Sequence, residues 1–154
     1  MKNIVIVAIG KIKEASYRDL CAEYVKRLRP YVKVEIAEIK PEPFGAGDKQ
    51  RAKSREGDRL LDFLAKYESA QVYLLDEHGK EFTSVDFAKF LDKKNETLIL
   101  VIGGTLGFAP EVSNKYKNKI ALSQFTLLHE LTRVVLLEQI YRAVTIIKGK
   151  EYHY

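Results

Sequence analysis

Cysteine occurs once, at Cys21, and histidine three times, at His78, His129 and His153. One thiol cannot close an internal disulfide, and it excludes zinc sites built on paired cysteines. Three histidines so far apart argue against a histidine-built centre, so no metal is expected. Long apolar runs are missing too. The opening run Ile4–Ile9 turns polar at Lys11, too short for a signal-peptide core; it reads as a buried strand, and the protein is expected to be cytoplasmic. Charge of one sign is equally scarce. Against 21 Asp and Glu stand 26 Lys and Arg, a net +5. The first 77 residues hold 15 basic and 13 acidic side chains, the remainder 11 and 8. Neither half is a basic arm, so nucleic acid would have to meet a patch made by folding. The chain shows no internal repeat and no low-complexity segment.

What is present is an alternation of strand and helix patterns. The 154 residues, 46% hydrophobic and 31% charged, suit one domain with a real core. Asn3–Ile9 reads as a strand covered on both faces. Ser16–Leu28 reads as an amphipathic helix stopped by Pro30, and Val32, Val34 and Ile36 as alternate positions of a half-wet strand. Lys40–Asp48, with two prolines and two glycines, is loop, and Lys49–Lys66 a charged helix. Val72–Asp76 is a third strand, turned by Glu77–Lys80, and Ser84–Lys93 a helix. Thr97–Ile102 is a fourth strand, Pro110–Tyr116 a short helix, Ile120–Ser123 a brief strand, and Leu127–Lys148 a long helix capped by Gly149. Such alternation predicts an α/β fold with a largely parallel sheet flanked by helices. The last helix is apolar on more than one face, yet Glu130, Arg133, Glu138, Gln139 and Arg142 rule out a membrane span. Its second face predicts a homodimer, or a central helix of the monomer.

Four local features invite a functional reading. Gly103-Gly104-Thr105-Leu106-Gly107 follows a buried strand, where ligands meet open α/β sheets, and its glycines allow close approach to main-chain groups. It is neither a Rossmann fingerprint nor a P-loop, and it also reads as a plain tight turn. His129-Glu130-Leu-Thr-Arg133 starts like a zinc-protease motif but has arginine where the second histidine belongs. His129 and Arg133 share a helix face and suit a phosphate or an anionic base; otherwise Glu130 and Arg133 form a surface pair. Glu138 and Arg142 stand in the favourable i, i+4 order. Tyr152, His153 and Tyr154 offer stacking faces to looped RNA, or are a frayed end. His78, on a turn beside Gly79, reads as an exposed histidine.

Over its whole length the chain resembles the small SPOUT-class methyltransferases that modify a pseudouridine of large-subunit ribosomal RNA at N3. The resemblance is carried by Ile6-Val-Ala-Ile-Gly-Lys-Ile-Lys13, Tyr24-Val-Lys-Arg-Leu28, Arg55-Glu-Gly57 and Leu75-Asp76 with Gly79-Lys80. Val101-Ile-Gly-Gly104 with Gly107 and Leu122-Ser123 add to it. Its most specific part is Arg133-Val-Val-Leu-Leu-Glu-Gln-Ile-Tyr-Arg-Ala143 with Tyr152-His153. One departure is Leu127-Leu128-His129, where such proteins often carry a proline before the histidine.

The resemblance implies a trefoil knot over about residues 72–154, a form that sequence patterns do not suggest because knots are nearly absent from proteins. It implies a homodimer and the assembled ribosome as substrate. It further implies S-adenosylmethionine held by main-chain groups at Leu75, Gly103, Leu122, Ser123, Gln124, Phe125, Thr126 and Leu127. Arg142, His153 and His129 are then the expected catalytic side chains, stabilising charge on the base. Arg133, Tyr152, His153 and Tyr154 are the expected RNA contacts. Two non-enzymatic readings compete: a small-ligand sensor using only the glycine loop, and a ribosome-associated RNA-binding factor without catalysis.

Overall fold

The computed structural model describes residues 1–154. Their order is β1 (Lys2–Ile9), α1 (Ala15–Leu28), β2 (Val32–Ile39), α2 (Lys49–Leu64), β3 (Gln71–Glu81) and α3 (Ser84–Asp92). Then follow β4 (Leu98–Ile102), α4 (Pro110–Lys115), β5 (Lys119–Ala121) and α5 (His129–Ile147). All strand pairings are parallel, in the order β2-β1-β4-β3-β5. The innermost strands β1 and β4 are the two with the purest aliphatic runs, because both of their faces are covered. Ile4, Ile6, Ala8, Leu98, Leu100 and Ile102 pack toward α1, α3 and α5. Val5, Val7, Ile9, Ile99 and Val101 pack toward the opposite layer of α2 and α4. The expected α/β sheet with helices on both sides is what forms, and no helix is long and apolar enough to cross a membrane.

Three boundaries and one burial differ from the sequence expectation in ways that bear on the site. β3 does not stop at Asp76: Leu75 and Lys80 both pair with Ile120, so Asp76–Gly79 bulge out and the strand resumes. A Cβ at Gly79 would lie 2.7 Å from main-chain atoms of Lys119 and Ile120, so the returning strand needs glycine there. β5 ends at Ala121, and Leu122 and Ser123 turn away into a loop. β2 lies at the sheet edge, which leaves Ile36 exposed rather than buried. α5 begins only at His129 and packs against α1 and α3 inside the same chain. That packing buries Leu136, Leu137 and Ile140, while Leu131, Val135, Ile146 and Ile147 stay half-exposed. Gly149 does cap it: with φ +61°, its N–H reaches Ile146 O and that of Lys150 reaches Thr145 O, a Schellman ending.

Candidate functional site

Because β3 and β4 are parallel neighbours, the segments leaving them emerge side by side. Asp76–His78 bulges from β3, and Gly103–Phe108 leaves β4. The loop after β5 crosses to the same edge before α5 starts. Together they enclose a cleft of about 870 Å³, within the range of small-molecule sites and beyond the carboxyl ends of the strands. Leu75, Gly103, Leu122, Ser123, Phe125, Thr126, Leu127 and His129 all line it, so eight positions named from the sequence converge on one space. Gln124 does not: its side-chain amide turns outward to donate to Glu81 Oε2 at 3.1 Å.

The cleft is built mostly of main chain and small groups. Gly107 N–H donates to Gly104 O at 3.0 Å, closing a tight turn for which Gly107 takes φ +73°. Thr126 Oγ donates to Glu77 Oε2 at 2.6 Å, and Phe125 N–H to Ser123 Oγ at 2.9 Å, which pins the loop before α5 to the β3 bulge. Asp76 Oδ1 accepts from His78 N–H at 2.8 Å. Phe125 is 82% exposed at the rim, and Leu128 is exposed beside it. Asp76, Glu77, His78 and Lys53 also line the cleft; the sequence reading gave none of them a site role, and His78 is the exposed turn histidine it expected. The strand-end rule reaches Asp76–His78; nothing in the sequence singles out Lys53, which arrives from α2.

Arg133 is a correction. Its side chain is only 5% exposed; Nη1 donates to Glu38 Oε1 at 2.7 Å and Nη2 to Gly10 O at 3.1 Å. A guanidinium spent on tying α5 to the ends of β1 and β2 is not presented to RNA. Glu130 is no surface partner for it either. It is buried and accepts from the Lys13 and Glu14 amides at 2.5 and 3.2 Å, capping α1, whose own N-cap side chain makes no such bond. Burial raises its pKa, but those two amides, together with the charges of His129 and Lys13, outweigh it and hold the carboxyl below its ordinary range.

Arg142 and the tail meet elsewhere. Arg142 Nη2 and Nε donate to Glu138 Oε1 at 2.6 and 3.1 Å, and Nη1 lies 3.3 Å from His153 Nδ1. Tyr152 donates to the same Glu138 oxygen at 3.2 Å, meets the Tyr24 hydroxyl at 3.2 Å and carries the Arg142 guanidinium 4.8 Å over its ring. Burial, then the Tyr24 bond and the Glu138 charge, raise the Tyr152 pKa. The tail therefore does not fray at Tyr152; only Tyr154, 98% exposed, hangs free. Thirteen residues separate His129 from Arg142 on α5, about 20 Å of helix. Arg142 is not among the residues that line the same chain's cleft.

A second hollow, about 380 Å³, lies at the opposite end of the sheet near Lys2. The Lys2 ammonium is taken up there by the carbonyls of Leu91, Asp92 and Lys94, at the end of α3. No group of three or more His, Cys, Asp or Glu side chains could hold a metal ion.

Comparison with known proteins agrees with this geometry. A family model described as SPOUT methyltransferase matches residues 1–153. A protein of Desulfitobacterium hafniense named ribosomal RNA large subunit methyltransferase H is 43% identical over 161 residues, covering 99% of both chains. Among solved structures, a methylase family protein from Haemophilus influenzae superposes with a TM-score of 0.61 at 12% identity, over 99% of this chain and 71% of its own. A methyltransferase of Legionella pneumophila, solved with bound SAM, gives 0.54 at 11%, over 92% and 66%. At those identities the two structures speak for the fold.

Proposed function

The chain belongs to the SPOUT methyltransferase family, and from that premise we propose that it methylates N3 of a pseudouridine in large-subunit ribosomal RNA, using S-adenosylmethionine. The observation that carries this reading is the cleft itself: residues 75, 103, 122, 123 and 125–127 come from three separate segments yet line one space. Its glycine loop, main-chain groups and apolar rim suit a cofactor with an adenine ring and a flexible amino-acid arm. Bound there, that cofactor supplies a methyl group activated on a sulfonium.

The remaining work falls to side chains. Methyl transfer is an in-line displacement, so placing the nucleophile supplies much of the rate. N3 of a pseudouridine attacks after losing its proton, and negative charge then spreads onto the flanking carbonyl oxygens. Arg142 would hold those oxygens, with Glu138 fixing its guanidinium in advance. His153, within 3.3 Å of Arg142, shares that task, and Tyr152 and Tyr154 contact the RNA. His129, at the mouth of the cleft, is the remaining catalytic candidate.

The 20 Å between cleft and cluster leads to the second half of the proposal. The active unit is a homodimer, in which the tail of one protomer reaches the cleft of the other. The loop after β5 threads a trefoil knot across residues 72–154, and the assembled ribosome in the cytoplasm is the substrate.

Incubating the protein with labelled S-adenosylmethionine and ribosomes from a methyl-deficient strain tests the reading. N3-methylpseudouridine in large-subunit RNA is the expected product. Ribosome binding without label would turn the reading to a non-catalytic ribosome factor, and no ribosome binding to a small-ligand sensor.

A further inference from the structure

Only two buried side-chain polar atoms lack a hydrogen-bond partner, Arg133 Nε and Glu56 Oε1. The first belongs to a guanidinium already paired twice. The second belongs to a carboxylate that is 6% exposed and has one bond, accepted by Oε2 from the Glu42 amide at 2.9 Å. Its cationic neighbours on α2 are engaged elsewhere: Arg55 donates to Glu42 Oε1 at 2.9 Å, and Arg59 pairs with Glu42 Oε2. Glu56 thus sits buried without a compensating cation. A carboxylate in that position is costly, and such costs concentrate at functional sites.

Its place is informative. A Cβ at Gly104 would lie 3.3 Å from Glu56 Oε1 and 3.0 Å from Ile9 Cγ2. One face of Gly104 therefore backs onto the carboxylate while the residue itself lines the cleft. Gly57 holds α2 this close, since a Cβ there would meet Ala109 Cβ at 2.7 Å. A single glycine thickness separates the orphan oxygen from the cleft. On the same helix, Lys53 reaches the cleft one turn earlier, so α2 offers a separate cation for a ligand carboxylate.

We propose that Glu56 is a specificity-determining residue: its carboxylate behind Gly104 favours the positively charged cofactor over the neutral thioether left after transfer. This rests on the reading of the cleft as an S-adenosylmethionine site. As the S–CH3 bond breaks, its electron pair returns to sulfur, the methyl carbon bonds to N3, and the N3 proton goes to solvent. The sulfonium charge is thereby lost. A fixed negative group nearby then holds substrate cofactor more tightly than product, in a setting where water screens little.

Titration calorimetry on the full chain with S-adenosylmethionine and S-adenosylhomocysteine tests this without turnover. The wild type is expected to prefer the cation, and Glu56→Gln to lose roughly tenfold in affinity for it while affinity for the thioether stays within about twofold. Glu56→Asp, which keeps the charge, should keep most of the preference. Equal losses for both ligands would make Glu56 a purely structural residue and overturn the proposal. A wild type without preference would overturn it with no variant needed. If the wild type binds neither ligand, the cofactor reading of the cleft fails first and takes this inference with it.

Discussion

The cleft and the Glu138 cluster are made of opposite materials. The cleft is walled by glycines, main chain and small hydroxyls, with its position set by where parallel strands end. The cluster is all side chain: Glu138 receives Arg142 and Tyr152, and Tyr24, Tyr141 and His153 close around them on the surface of α5. A backbone cleft is suited to holding a ligand of fixed shape, because main-chain donors are rigid. A network of charged and aromatic side chains is suited to meeting charge that develops during a reaction. The molecule keeps the two about a helix length apart, and that separation is what the proposed dimer would close.

The largest effect should come from the frame of the cleft. In Gly79→Ala the new methyl meets main-chain atoms of Lys119 and Ile120 at 2.7 Å, where no flexible side chain can give way. We expect about 3 kcal/mol lost from unfolding stability, read as a lower denaturant midpoint at unchanged slope. Gly45→Ala, with nothing within 4 Å, should shift it by no more than about 1 kcal/mol. If the two variants behave alike, the bulge is not a rigid wall of the cleft.

Arg142→Ala comes next and bears on the division of labour. Turnover should fall by about 100-fold while cofactor affinity is unchanged, because in the proposed site Arg142 holds the carbonyl oxygens of the base and not the cofactor. Mixing Arg142→Ala with a cleft-blocked Gly104→Val protein should restore part of the activity, since a mixed dimer holds one intact pairing of cleft and tail. Activity that stays at the level of the separate variants after subunit exchange would confine each site to one protomer.

The contrast also explains what the sequence disclosed. The sheet was legible because the covered strands write their burial directly into Ile4–Ile9 and Leu98–Ile102. Gly103–Gly107 was legible as a loop a ligand could approach. The other cleft positions came through resemblance, since main chain such as that of Leu122–Leu127 can accompany any side chain. Arg133 was misread for a related reason. Periodicity puts His129 and Arg133 on one face of α5, but it does not tell that Gly10 O and Glu38 wait four residues further along to bury the guanidinium. Glu56 entered only as the middle of Arg55-Glu-Gly57, with no role attached, because its isolation depends on Glu42 taking both neighbouring arginines.

The smallest predicted effect tests how firmly the tail is docked. Tyr152 bonds to Glu138 and Tyr24 as a neutral phenol, and its pKa is raised by burial first and by those partners after it. A raised folded-state pKa means that the unfolded chain loses this proton first as pH climbs. The docking contribution is therefore complete below the ordinary tyrosine pKa near 10 and is lost as pH rises through the folded value, where a phenolate would face the Glu138 carboxylate. Tyr152→Phe removes both hydrogen bonds but keeps the ring under Arg142, so about 1 kcal/mol should be lost at neutral pH. The difference between variant and wild type should then shrink above pH 10, when the wild type forfeits the same contribution. A difference that holds constant into strong alkali would show that the ring's contacts with Arg142 and Tyr141, and not its hydroxyl, keep the tail in place.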